Sequence, residues 1–154
     1  SGKPAVVVRN LASKRSPLTL KSRFTLRTLF VKKRRSLTGD LSFYEGIILK
    51  RLAPFTRRRQ DLLFDFPGEY SRKVVVHLPK GYCVRKGPVR GDLKTPWLSF
   101  QQRVETPRRQ FIIKRHLTIK GWRVRAADYP AFKKAVEKIS RHVSTRLVVQ
   151  RCKK

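Results

Sequence analysis

Carboxylates are scarce in this chain: 9 Asp and Glu stand against 39 Lys and Arg in 154 residues, a formal net charge of +30. Paired carboxylates for acid–base chemistry are therefore almost lacking. Asp65 and Glu69 lie close together but flank a Pro-Gly turn, and turn chemistry accounts for them. Methionine is missing altogether, and Ser1-Gly2 reads as a processed or engineered end. The chain is accordingly taken as a piece of something longer or as a redesigned domain. Cysteine is limited to Cys83 and Cys152 and histidine to His77, His116 and His142, none at zinc-ligand spacing, so no metal site is expected. The two cysteines are able to pair in an oxidising compartment, but their spacing does not show that they meet. A catalytic Cys83 would need one of the three histidines as its base, and burial of a lone cysteine is the commoner use. Cys152 lies in a basic tail, where neighbouring cations favour a reactive thiolate. Long apolar runs are also missing, which excludes a spanning helix, and no secretory h-region opens the chain. Neither GxxxxGK[ST] nor GxGxxG occurs, so no nucleotide cradle and no cofactor are expected.

What remains is enough to fold. Hydrophobic residues make up 40% of the chain, and they recur in ordered patterns, which excludes disorder driven by charge. The length fits one domain spanning 1–154, with the excess charge carried on its surface.

Most segments follow the period of a strand. Ala5 to Leu11 is a β-branched run, and from Leu18 to Phe30 apolar residues alternate with Lys21, Arg23 and Arg27. An apolar stretch from Phe43 to Leu52 ends at Pro54. Leu62 to Phe66 stops at Pro67-Gly68, and Lys73 to Leu78 is closed by Pro79-Lys80-Gly81-Tyr82. Lys86 to Pro96 reads as a Gly/Pro-rich link. Arg103 to Lys120 forms one hairpin with its tip at Thr106-Pro107-Arg108-Arg109. In its second arm Phe111, Ile113, Arg115, Leu117 and Ile119 face one way, and Ile112, Lys114, His116, Thr118 and Lys120 the other.

The exception is 128–143. Asp128 is expected to cap a helix N-terminus, with Pro130 in the first turn. Phe132, Ala135, Val136, Ile139 and Val143 then share one face, opposite Lys133, Lys134, Glu137, Lys138 and Arg141. A final strand, Arg146 to Gln150, leads into the basic tail 151–154. Seven to nine strands and one late helix predict a mostly β fold, an antiparallel, immunoglobulin-like β-sandwich, although spacing alone does not separate a sandwich from a barrel.

The order of the late elements carries a resemblance. Val74-Val75-Val76-His77-Leu78-Pro79-Lys80-Gly81-Tyr82, then Trp97 to Phe100, a hairpin arm at Gln110 to Thr118, and Asp128-Tyr129-Pro130-Ala131-Phe132 opening the helix resemble a known pattern. It is that of the β-sandwich domain of unknown function that follows the transglutaminase-like domain in a family of bacterial exported proteins. The resemblance covers 59–149. It implies an accessory, non-catalytic role in the periplasm or cell envelope, because the Cys, His and Asp machinery of such proteins lies upstream. This chain is more cationic than that family, which leaves a supercharged scaffold as an alternative reading.

The candidate contacts are therefore cations. Lys32-Lys33-Arg34-Arg35, Arg57-Arg58-Arg59, Arg108-Arg109 and Arg123/Arg125 all fall at expected loops or turns, where phosphates can be reached. No recognition helix or RNP-like pattern accompanies them, and the charged helix face reads as a solvated one. Trp97 is assigned to the core, and Trp122, between Gly121 and Arg123, is the candidate for stacking on bases. The expected function is non-catalytic polyanion binding, with DNA, RNA, an acidic polymer or an anionic lipid surface as partner and no small-molecule substrate. A dedicated nucleic-acid-binding, ribosomal-protein-like role is the alternative.

Overall fold

The computed structural model describes residues 5–9, 19–23, 29–41, 51–64 and 67–152. The chain divides into two compact units, Ser1–Phe30 and Val31–Lys154. In the first, β1 (Ala5–Arg9) pairs antiparallel with β2 (Thr19–Arg23), with Val7 opposite Lys21. Residues 24–28 of the expected Leu18–Phe30 strand lie outside the described residues.

The second unit holds two four-stranded antiparallel sheets. The first sheet has the order β6 (Gly68–His77), β10 (Gln110–Ile119), β9 (Leu98–Glu105), β8 (Gly91–Lys94). The second runs β3 (Phe30–Lys33), β4 (Ser36–Gly39), β12 (Leu147–Arg151), β7 (Tyr82–Lys86). A two-stranded ribbon joins β5 (Leu62–Leu63) to β11 (Arg123–Val124). After it a short 3-10 turn, Ala126–Asp128, opens the helix α1 (Tyr129–Val143).

The expected hairpin is present as β9 and β10, in register from Leu98–Ile119 to Glu105–Ile112. β10 is central because its alternation is strict: Phe111, Ile113, Arg115, Leu117 and Ile119 are all buried. β6 starts at Gly68, five residues before the expected Lys73, since β10 offers it a partner along its full length. The presumed link 86–96 contains β8, an edge strand. Its Gly91 is packed so tightly that a β-carbon there would lie 2.8 Å from the His142 ring. Residues 51 and 52, the described end of the apolar stretch Phe43–Leu52, are helical.

Two partners cover the inner face of the first sheet. Over Leu98, Phe100 and Leu117 lies α1, which buries Phe132, Ala135, Val136, Ile139 and Val143, the face its sequence period specified. Trp97 is half-buried with its ring edge-on to Phe132, centroids 6.0 Å apart, and so belongs to the core. The other half meets the second sheet: a β-carbon on Gly87 would lie 3.0 Å from Leu147 and 3.1 Å from Phe111. The result is a sandwich with a helix packed at one end.

Arg115 lies at the junction, 4% exposed. Its Nε donates to Gln102 Oε1 (2.7 Å), Nη1 to the Leu41 carbonyl (3.1 Å) and Nη2 to the Val143 carbonyl (3.4 Å). The last of these is an orphan acceptor at the end of α1, where a cation is also favoured by the helix dipole. This arginine sits on the apolar face because its charged head is spent on carbonyls that need a donor.

The helix start differs from expectation. The side chain of Asp128 caps no backbone N–H; its carboxylate instead receives Arg125 Nε at 2.7 Å. Asp61 caps the preceding 3-10 turn from a distance, accepting the N–H of its first residue, Ala126, at 2.7 Å.

Candidate anion-binding surface

The clusters that look alike in sequence have different surroundings. Lys32 and Lys33 do not lie in a loop but on β3, and only Arg34 and Arg35 form the turn to β4. Two residues suffice for a hairpin turn, so the flanking lysines join the ladder. Arg34 has φ 51°, a left-handed conformation that costs an L-residue energy and that glycine adopts freely.

Across the second sheet, Ser36 of β4 and Cys83 of β7 both lie opposite Gln150 of β12. The register shifts between Val148 and Val149: Val149 faces Val84 and Val148 faces Lys86, which leaves Arg85 as the extra residue of a β-bulge. Arg85 is exposed, as is Cys83 two residues before it on the same face. Arg34, Arg35 and Arg85 thus surround a floor of Ser36 and Gln150, in an open depression of about 620 Å³. Among the described residues, no carboxylate forms an ion pair with any of these three arginines.

Cys83 and Cys152 are joined in a disulfide, with Cα atoms 5.2 Å apart. Both cysteines are exposed, so neither the buried lone thiol nor the reactive tail thiol expected above is present. The bond ties β7 to the end of β12 beside Gln150, where the Cys152 N–H also donates to the Gly81 carbonyl (2.8 Å).

The other clusters are distributed over different elements. In the 57–59 triplet, Arg57 and Arg59 are exposed, whereas Arg58 is half-buried over the rings of Phe55 (5.5 Å) and Tyr129 (5.8 Å). Tyr129 is fully buried and its hydroxyl donates to the Phe55 carbonyl at 3.0 Å, so Arg58 helps to close the core. Arg108 and Arg109 are exposed at the β9–β10 tip, where Arg109 has φ 60°.

Arg123 and Arg125 are both spoken for. Arg123 Nε donates to Asp61 at 2.6 Å, and Arg125 to Asp128. The Ala126 N–H, followed by the Arg123 hydrogen bond, holds the Asp61 carboxyl below its ordinary value, while the Asp128 hydrogen bond raises Arg125. Trp122 beside them is 61% exposed, as its sequence neighbours implied.

On the outer face of the first sheet, Lys73, Lys114 and Arg103 share one rung. Lys114 is paired with Glu105, and Arg103 with Asp92 at 2.8 Å. One rung further, Ser71 Oγ lies 2.7 Å from His116 Nδ1, and Glu69 is 4.0 Å from Nε2. His77 is exposed and His116 half-buried. Among the described residues no three His, Cys, Asp or Glu side chains gather as a metal site would require.

Of the residues that line the depression, the sequence singled out Arg34 and Arg35 but not Arg85 or Gln150. The adjacent Arg85-Lys86 pair was a signal, but only the sheet order brings Arg85 beside the β3–β4 hairpin. In the comparisons with known proteins, no curated protein and no solved structure matches the chain. The family model of DUF3858, described as a domain of unknown function with solved-structure structure, matches residues 42–149. That span takes in both the "LPKGY" turn and the "DYPAF" helix start, and the chain belongs to the DUF3858 family.

Proposed function

We propose that this is a non-catalytic domain that binds polyanions mainly by electrostatics. The observation that carries the reading is the depression of Arg34, Arg35 and Arg85, where three cations converge and no carboxylate among the described residues pairs with them. The field of a chain with net charge +30 draws anions toward it. Two features support the absence of catalysis. The two cysteines are consumed by their disulfide. The Ser71–His116–Glu69 group lies on a sheet face with Ser71 and Glu69 exposed, without the enclosure that excludes water from a reacting centre.

The motif order also supports a finer proposal, that the domain serves as an accessory to a transglutaminase-like catalytic domain in an exported protein. Its charge would then meet an acidic envelope polymer or lipid surface.

The test is binding to duplex DNA, a structured RNA and heparin across a salt series. Similar affinities that fall together are expected, with log K dropping by about 0.9 per log unit of salt for each phosphate neutralised on duplex DNA. Tight binding to one ligand that persists at high salt would replace this reading with dedicated nucleic-acid recognition. Affinity that does not respond to salt would remove the electrostatic reading altogether.

A further inference from the structure

We propose that the depression on the second sheet is a seat for a single phosphate group, the point at which a polyanion chain is held in place rather than merely attracted. The proposal rests on the polyanion reading above and gives it a location and a ligand chemistry.

The first argument is the donor set. Each guanidinium presents N–H donors in a planar fork that matches two oxygens of a tetrahedral oxyanion, a geometry that lysine lacks. Three such forks border the depression, and the Gln150 amide on its floor adds a neutral donor. A phosphate has oxygens enough to use several at once.

The second is how the arginines are placed. They come from a hairpin turn and from a bulge on a strand two places away in the sheet. Ser36 and Cys83 both lie opposite Gln150, and the period of two puts Arg85 on the face of Cys83, so arginines from both sides of β12 meet over one face of the sheet.

The third is rigidity. The Cys83–Cys152 bond and the β12 ladder hold the Arg85 wall against the Gln150 floor, so little ordering remains to be done on binding. The depression is too open to bury a small molecule, which fits one group of a long chain whose neighbours remain in water.

The experiment uses the full chain and inorganic pyrophosphate as probe, followed by NMR or calorimetry at near-physiological salt, with sulfate as the second arm. Arg34→Gly and Arg85→Ala are compared with the Arg108→Ala/Arg109→Ala pair, which removes two charges at the other hairpin tip. We expect pyrophosphate to bind and each depression variant to weaken it about tenfold, with the tip variant within twofold of the parent. Arg34→Gly should melt no lower than the parent, because glycine accepts the turn conformation, so lost binding is not lost folding. Equal losses in all variants, or no pyrophosphate binding, would overturn the seat. Sulfate bound as tightly as pyrophosphate would overturn the choice of phosphate and leave a general oxyanion site. Heparin and DNA binding are followed in parallel. If they persist in Arg34→Gly, only the seat is at stake; if the parent binds neither, the polyanion reading fails on its own.

Discussion

The depression on the second sheet and the corner where β11 meets α1 start from similar material, arginines close together in a basic chain. At the corner, Arg123 and Arg125 each face a carboxylate, and Asp61 is shared between a guanidinium and the Ala126 N–H. At the depression Arg34, Arg35 and Arg85 face water. The chain has 9 acids for 39 cations, so where an acid is placed is informative. Paired arginines at the corner organise the start of the helix. Those at the depression, with no ion pair to a carboxylate among the described residues, are open to an anion. A cationic cluster in a sequence therefore says little until its counter-charges are located.

The largest effect that can separate the two regions comes from the disulfide, which closes a loop with a sequence separation of 69. In the loop-entropy view, losing it destabilises the fold by about 4 kcal/mol. Cys83→Ser/Cys152→Ser should show this in urea unfolding, and so should the parent in a dithiol reductant. Pyrophosphate affinity should fall with it at urea concentrations well below the transition, while the β11–α1 corner, held by its own ion pairs, keeps its NMR shifts. If the corner moves as much as the depression, the disulfide acts on the whole domain and the local account is wrong.

The architecture was more legible than the site. Strict alternation in β10 and the three-and-four spacing of α1 state which faces are buried, and both hold residue by residue. Edge strands were harder: β8 carries Gly91 and lies beside prolines, and only pairing with β9 makes it a strand. That Arg85 joins Arg34 and Arg35 follows from the order β4-β12-β7, which periodicity does not state. The disulfide was equally invisible, since two cysteines 69 apart meet only through sheet topology. At the helix start, an Asp in the right place suggested a cap. Arg125, three residues before it, holds that carboxylate, and the distant Asp61 caps the 3-10 turn that precedes the helix.

An intermediate effect is expected from making the corner resemble the depression. Asp61→Asn/Asp128→Asn releases two arginines, so a corner that did not bind should begin to. On duplex DNA the salt slope should steepen by up to about 1.8, the contribution of two further phosphates. At the corner, acid releases Arg123 from Asp61 without mutation. Asp61 and Asp92 have folded pKa values below those of free aspartates, so their stabilising pairing is fully present above the unfolded value. It is lost as pH falls through the lower, folded value. Carboxyl NMR titration should place both midpoints below that of a free aspartate. Midpoints at or above it would mean that the ion pairs at the corner and on β8 are not formed in solution, and the contrast between the two regions would disappear.

The smallest expected change tests whether the corner binds through its aromatic ring rather than its charges. Trp122 is 61% exposed and adjoins Arg123, whose guanidinium Asp61 already holds. Removing it should alter stability by no more than about 0.5 kcal/mol, as for other surface positions. If anions are held at the depression, Trp122→Ala leaves affinity for single-stranded DNA within about twofold, and adding that DNA does not quench the Trp122 emission seen by difference between parent and variant. A stacked base is worth about 1–3 kcal/mol, so a stacking role would show as a loss of roughly fivefold or more with strong quenching. That outcome would make the corner a binding site in spite of its paired arginines, because stacking needs an exposed ring and not a free charge.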